Sequence, residues 1–147
     1  MKKIAMMLLG TAAMMVSLAA YADDDRPVKF SELPAAAQTF VNSHFEGVEV
    51  LLAKKDPSLL GATYEVMLAD GTEAEFDREG AWVEVERRGY PVPADIVPAE
   101  IVDYVNKYQH GAMILGIERD RQSYEVKLGN GFEVKFDKQF RVIDIDD

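Results

Sequence analysis

The sequence predicts an α+β fold of two tandem repeats, each a helix packed on a four-stranded antiparallel β-meander, with the meanders forming one continuous curved sheet. Three observations support this: a hairpin motif that occurs twice, an apolar helical stripe before each copy, and Gly-containing turns between short alternating segments. The motif reads YEVMLADGTEAEF at residues 64–76 and YEVKLGNGFEVKF at residues 124–136. Eight of the 23 residue pairs between 64–86 and 124–146 are identical, which indicates an internal repeat.

Each repeat is predicted to begin with a helix. Apolar residues follow the spacing i, i+4, i+7, i+8 and i+11 in both halves, which forms a single stripe along a helix. Pro34 and Pro98 fit the first helical turns, and Gly47 and Gly111 fit the ends. The stripes consist of Leu33, Ala37, Phe40, Val41 and His44 in the first half, and of Val97, Ile101, Tyr104, Val105 and Tyr108 in the second.

Strands are predicted where apolar and polar residues alternate between turn signals. Asp70-Gly71 and Asn130-Gly131 favour tight hairpin turns at equivalent places. Alternation with a period of two buries one face of a sheet and leaves the other face in solvent. The predicted strands cover residues 48–53, 64–68, 73–76 and 82–86 in the first repeat, and residues 112–117, 124–128, 133–136 and 142–146 in the second.

Residues 1–22 have the pattern of a secretory signal peptide. Two lysines precede an apolar stretch that ends in the small-x-small motif Ala20-Tyr21-Ala22. The stretch is shorter than the ~20 residues needed to span a bilayer. We therefore expect cleavage after Ala22, a periplasmic or secreted product, and no stable membrane insertion after cleavage. The rest of the chain divides into repeat 1, residues 23–90, and repeat 2, residues 91–147.

The charge of the chain restricts its partners. Its 26 acidic and 16 basic residues give a net charge of −10, which becomes −12 when the two signal-peptide lysines are removed. Such a charge opposes nucleic-acid binding, which requires clustered lysine and arginine. It permits basic proteins, basic peptides or divalent cations as partners. The absence of cysteine excludes disulfides and thiolate metal sites.

The sequence contains no recognisable catalytic motif. His44 and His110 are the only histidines and do not have metalloprotease spacing, and nucleophile-elbow, P-loop and dinucleotide motifs are absent. We predict a protein that is not an enzyme, with no catalytic residue, no metal site and no cofactor. Asp77 and Asp137 recur at the same turn, either as calcium ligands or, as we favour, as turn residues that accept backbone amides.

The repeated segments resemble the PepSY-like family of small exported bacterial proteins. The shared features are Leu-Pro or Val-Pro before the helix, Tyr-Glu-Val-x-Leu, a Gly turn, and Phe-Asp-x-x-Gly before the last strand, which the second repeat changes at Phe140. The resemblance implies a tandem arrangement similar to β-lactamase-inhibitor proteins, with a curved sheet and helices on its other side. It also implies a periplasmic or secreted location, and the related PepSY domains are associated with inhibition of peptidases or with regulation at the cell envelope.

The exposed sheet face of repeat 1 is the candidate binding site. Strict alternation places one tryptophan and one methionine among glutamates there, and Trp contributes strongly to binding at interfaces. The leading hypothesis is a non-catalytic inhibitor or regulatory module that holds a protein or peptide on this face, and the surrounding glutamates favour a basic one. The alternative role for Trp82 is packing beneath a loop or against the other repeat. The predicted site comprises Trp82, Met67, Glu65, Glu73, Glu75, Glu84 and Glu86.

Two other functions fit the same residues. The acidic face could serve a sensor or buffer of small ligands or divalent cations. An inhibitor of a β-lactamase is a further hypothesis, which rests on fold analogy alone.

Overall fold

The computed structural model describes residues 25–57 and 61–147. The predicted signal peptide, residues 1–22, lies outside the described residues. Within these residues, nine strands form one sheet in which every strand pairs antiparallel with the next along the chain. The strands are β1 (Arg26–Val28), β2 (Val50–Asp56), β3 (Thr63–Leu68), β4 (Glu73–Phe76), β5 (Trp82–Glu86), β6 (Ile114–Arg119), β7 (Ser123–Leu128), β8 (Glu133–Asp137) and β9 (Val142–Asp146).

The predicted fold class is therefore wrong. The chain does not form two repeats that each consist of a helix and four strands, but a mostly β structure with a single nine-stranded antiparallel sheet. The difference arises at β1, which adds a ninth strand before β2 and has no counterpart in the predicted repeats. β5 pairs with β6 through Glu84–Glu118, Val85–Ile117 and Glu86–Gly116. This pairing joins the two halves of the sequence within one sheet.

In the part of the chain that the structure describes, two α-helices of ten residues each pack on one face of the sheet, which we call the inner face. They are α1 (Ala35–His44) and α2 (Ala99–Tyr108), and a short 3₁₀ helix (Phe30–Glu32) precedes α1. Each α-helix starts directly after a proline, whose fixed φ suits a helix start. Each buries a narrow stripe, Ala37 and Val41 in α1, Ile101 and Val105 in α2.

The core lies between these helices and the inner face. The ring of Phe40 on α1 meets Phe76 edge-on at 5.4 Å, and Tyr104 on α2 meets Phe136 in the same way at 5.2 Å. Aliphatic and alanine side chains form a continuous row beneath the helices, one from each strand. In strand order, the row is Val28, Ala53, Val66, Ala74, Val85, Ile117, Val126, Val134 and Ile145.

The turns after β4 and β8 are closed by aspartate. Asp77 Oδ1 accepts the amides of Glu79 and Ala81 at 2.9 and 3.0 Å. Asp137 Oδ1 accepts the equivalent pair of amides at 2.9 Å. Both carboxylates thus act as turn residues in the described structure.

Candidate functional site: the outer face of the sheet

The face of the sheet turned away from the helices, the outer face, carries five glutamates in lateral register. The pairs Glu65–Glu75, Glu75–Glu84, Glu84–Glu118 and Glu118–Glu125 connect five neighbouring strands, β3 to β7. We call these five residues the glutamate row. With strands about 4.8 Å apart, the row extends over roughly 19 Å. Lys54 on β2 and Lys135 on β8 are the next residues at its two ends.

A second line of outer-face residues runs beside the glutamate row. Met67 pairs with Glu73, Glu73 with Glu86, and Lys127 with Glu133. The Lys127 ammonium lies 3.0 Å from Glu86. Between the two lines is an open depression of about 190 Å³, whose lining residues are Glu65, Glu73, Ala74, Glu75, Glu84 and Glu86.

The crowding of carboxylates changes proton affinity. Burial raises the pKa of Glu75, and the negative charges of Glu65, Glu118 and Asp56 raise it further. Burial also raises the pKa of Glu133, with an added contribution from its hydrogen bond to Glu125. These two carboxyl groups therefore hold protons more tightly than ordinary glutamates, mainly because they are partly buried and further because of the carboxylates beside them.

Lys54 partly neutralises one end of the glutamate row. Its ammonium lies 3.2 Å from Asp25 and 3.4 Å from Glu65. Burial favours the neutral amine, but the two carboxylates outweigh it and raise the pKa of Lys54. This end of the row is thus already paired with a cation, whereas Glu75 has like charges around it.

The structure places Trp82 away from the predicted site. The pairing of β4 with β5 shifts register between Glu75 and Phe76, so Trp82 lies opposite Phe76 on the inner face. The Trp82 ring lies 6.5 Å from that of Phe40 and packs against the core. The expectation that Trp82 shares a face with the glutamates is therefore wrong, because a β-bulge reverses the alternation at the start of β5.

Arg119 holds Trp82 in this position. Its guanidinium lies 3.9 Å from the centre of the indole ring, and its Nε donates a 2.8 Å hydrogen bond to the Trp82 carbonyl. Arg119 belongs to β6 and Trp82 to β5, so the contact spans the junction between the two halves of the sequence. Trp82 therefore packs against the second half of the sequence, which is the alternative role considered in the sequence analysis.

The other predicted site residues do come together on the outer face. Glu65, Glu75 and Glu84 belong to the glutamate row, and Met67, Glu73 and Glu86 form part of the line beside it. The predicted site lacks two members of the row, Glu118 and Glu125. Their place beside the glutamates of the first half depends on the pairing of β5 with β6, and no local pattern reports a pairing between strands so far apart in sequence.

The arrangement offers negative charge without a preformed metal site. Within the described ranges, no group of three or more His, Cys, Asp or Glu residues is placed to hold a metal ion. Neighbouring carboxylates along the row are suited to ammonium and guanidinium groups, which reach them one at a time from solvent.

Comparison with known proteins identifies the family. The family model described as "Putative beta-lactamase-inhibitor-like, PepSY-like" matches residues 62–144, more than half of the chain. The chain belongs to the PepSY-like family. A search of the curated proteins found no match to this PepSY-like protein.

Solved structures from Bacteroides are similar to this PepSY-like protein over most of its length. A "putative periplasmic protein" of the DUF2874 family from Bacteroides vulgatus ATCC 8482 is 45% identical, with a TM-score of 0.82, and the match covers 86% of this chain and 99% of that one. A "putative calcium-regulated periplasmic protein" from Bacteroides thetaiotaomicron is 44% identical, with the same TM-score and coverage. A third, of unknown function and also from B. vulgatus, is 34% identical, with a TM-score of 0.79 and coverage of 84% and 99%.

These relatives share a location in their descriptions, since all three are described as periplasmic. In the described part of this PepSY-like protein, no helix has the length and apolar character required to cross a membrane.

Proposed function

We propose that this PepSY-like protein is an exported, non-catalytic binding module that holds a basic segment of a partner protein on the outer face of its sheet. The observation that carries the proposal is the glutamate row, five carboxylates in register on five neighbouring strands. The signal-peptide pattern and the periplasmic relatives support a location in the periplasm, where partners would be envelope proteins.

The energetics of the row favour a cationic partner. Like charges directly opposite each other on a sheet are destabilising, by up to about 1 kcal/mol for each pair. A lysine- or arginine-rich segment that binds along the row would offset this repulsion. The same potential accelerates encounter with positively charged partners and repels negative ones.

The proposed contact surface differs from the sequence prediction at two points. Glu118 and Glu125 extend it across β6 and β7, and Trp82 supports it only from the opposite face. Met67, opposite Glu73, provides its apolar part. A partner segment with basic side chains around an apolar residue fits this surface.

The test is affinity capture from periplasmic extract with two charge-matched variants. The first combines Glu65→Gln, Glu75→Gln and Glu84→Gln and removes three charges from the row. The second, the control, combines Glu79→Gln, Glu100→Gln and Asp103→Asn, which removes three charges from exposed positions outside the sheet. The proposal expects a partner that the control captures and the row variant loses. Equal capture by both variants would contradict it.

Calcium binding is a second candidate, favoured by one observation: a relative of 44% identity is described as calcium-regulated. Adjacent glutamates could bind the ion through oxygen atoms once it draws them together. Calcium that binds only the folded state must raise the melting temperature, so millimolar calcium is compared with equal magnesium. The row variant should abolish any shift, and the absence of a shift in the unaltered protein would exclude this candidate.

A further inference from the structure

The two edges of the sheet differ in how open they are to another strand. β1 has three residues, and its central residue, Pro27, has no amide hydrogen to donate. β9 has five residues without a proline, and among the described residues it pairs with β8 alone. Free backbone groups on a longer edge strand are a template for pairing with another chain. β9 is therefore the edge at which the sheet can grow.

The two faces of β9 carry different side chains, apolar on the inner face and acidic on the outer face. Val142 pairs with Phe136 and Ile145 with Val134, so both lie on the inner face at the end of the core. Asp144 pairs with Lys135, so it lies on the outer face. Ile143 and Ile145 remain 55% and 46% exposed, which is unusual for isoleucine in a sheet and leaves apolar area uncovered beside the edge.

We propose that β9 accepts an extended segment of a partner protein as a tenth strand, and that this segment alternates aliphatic and basic residues. Its aliphatic side chains would cover Val142 and Ile145 and continue the inner face. Its basic side chains would lie beside Asp144 on the outer face. Positive and negative side chains would then alternate from Glu125 through Lys135 and Asp144 to the added strand. Backbone hydrogen bonds supply affinity in this mode of recognition, and alternate side chains supply specificity.

Charge selects this occupant over a second copy of the chain. A second β9 would bring its own acidic side chains to an edge that already carries Asp144, and the two chains would each carry a net charge of −10. Like charges opposite each other oppose such a pairing. A strand with lysine or arginine on its outer side has the complementary sign. The inference uses β9 and not the glutamate row, so it does not depend on the proposed function.

The test measures the affinity of the full mature chain for short labelled peptides by fluorescence anisotropy. The first peptide alternates valine and lysine, the second has the same composition in two blocks, and the third alternates valine and glutamate. We expect at least tenfold tighter binding of the first peptide than of the others. Equal binding of the alternating and block peptides would overturn the proposal, because charge alone would then explain the affinity.

Backbone pairing is tested separately with two N-methylated forms of the alternating peptide. One is methylated at its valine amides and the other at its lysine amides, which lie along opposite edges of an extended strand. Addition to a single edge requires one form to lose binding and the other to retain it. Retention by both forms would exclude strand addition.

Variants locate the binding to β9. Asp144→Lys should lower the affinity for the alternating peptide at least tenfold, and the milder Asp144→Asn should lower that affinity less. Asp103→Lys, the same change at an exposed position on α2, should have little effect, and the row variant should retain binding. An unaffected Asp144→Lys protein would overturn the proposal. So would a dimer in sedimentation that Ile145→Lys dissociates, since a second copy would then occupy the edge.

Discussion

At the scale of single residues, Trp82 links parts of the chain that are distant in sequence. Its ring lies between Phe40 of α1 and the Arg119 guanidinium of β6, at 6.5 and 3.9 Å. A cation over an indole face contributes roughly 0.5–2 kcal/mol, depending on how far it is shielded from water. The burial of Arg119 lowers its pKa, which shows that this guanidinium is partly withdrawn from solvent.

We predict that Trp82→Ala lowers the free energy of unfolding by about 3 kcal/mol, the low end for tryptophan, because it removes a large, half-buried ring packed against the core. Urea titration followed by circular dichroism measures the loss. Trp82→Phe, the matched control, keeps an aromatic ring and should lose much less. A stable Trp82→Ala protein that no longer captures its partner would contradict this prediction and return the indole to a binding role.

Glu75 predicts a dependence of stability on pH. Its pKa is raised above the ordinary 4.5 by burial and by the neighbouring carboxylates Glu65, Glu118 and Asp56. The folded state then binds this proton more tightly than the unfolded state, so stability falls as pH rises above 4.5 through the raised pKa. Glu75→Gln should therefore stabilise the protein at neutral pH, by about 0.5–1 kcal/mol, and should reduce this pH dependence.

Denaturant titrations at several pH values check the effect of Glu75. Glu79→Gln, at an exposed turn position, is the control and should leave the pH profile unchanged. The trend reverses below pH 3.8, because amide hydrogen bonds from Gln122 and Ser123 hold the pKa of Asp120 below that value. A Glu75→Gln protein less stable than the parent at neutral pH would show that repulsion in the glutamate row is not significant.

At the scale of elements, the turn between β4 and β5 fixes α1 to the sheet. Gly80 has a φ of +88°, and a Cβ atom there would lie 2.9 Å from the amide nitrogen of Ala37 and from Cβ of Pro34. The turn thus contacts the start of the helix directly. The equivalent turn keeps the left-handed backbone with Phe140, at a φ of 64°, and Phe140 compensates by stacking on Tyr124 at 5.5 Å.

We predict that Gly80→Ala destabilises the protein more than Gly131→Ala. Gly131 has a similar φ of +93° but nothing within 4 Å of an added Cβ. Alanine at Gly131 thus costs only the energy of holding an L-residue in the left-handed backbone conformation, about 1–2 kcal/mol. Alanine at Gly80 adds a clash with the start of α1, which costs roughly 1–3 kcal/mol more. Thermal unfolding of the two variants measures the difference, and equal losses would mean that the turn moves away from α1 without cost.

The same elements show how far sequence reasoning reached. The spacing of Ala37 with Val41 and of Ile101 with Val105 located both helices, and Asp70-Gly71 and Asn130-Gly131 located two hairpin turns. What it missed depends on pairing between strands. The β-bulge that turns Trp82 inward and the addition of β1 to β2 are properties of neighbouring strands in contact. The alternation of residues within one strand does not indicate either feature. Pro27 also argues against a strand at Arg26–Val28, because proline has no amide hydrogen to donate.

At the scale of the whole molecule, the two faces of the sheet have opposite chemistry. The inner row of aliphatic residues and alanines passes through all nine strands without interruption, and the glutamate row crosses the other face over the same central strands. Because the apolar row crosses the β5–β6 junction at Val85 and Ile117, both fully or almost fully buried, the core continues across that junction. Burial on the inner face thus stabilises the sheet that carries the repelling carboxylates on its outer face.

Because the core is continuous, we predict that the sheet and its two helices unfold as one cooperative unit. Ile117→Ala removes a side chain at the β5–β6 junction and should cost about 2–5 kcal/mol, whereas Ile143→Ala at an exposed position should cost no more than about 0.5 kcal/mol. Trp82 fluorescence reports the β5–β6 junction and its contact with α1, and far-ultraviolet circular dichroism reports the whole sheet. In Ile117→Ala both transitions should move together to lower denaturant, because neither half retains its core when the junction weakens. Two separated transitions would show that each half keeps its own core, and that the single sheet is a junction of independent units.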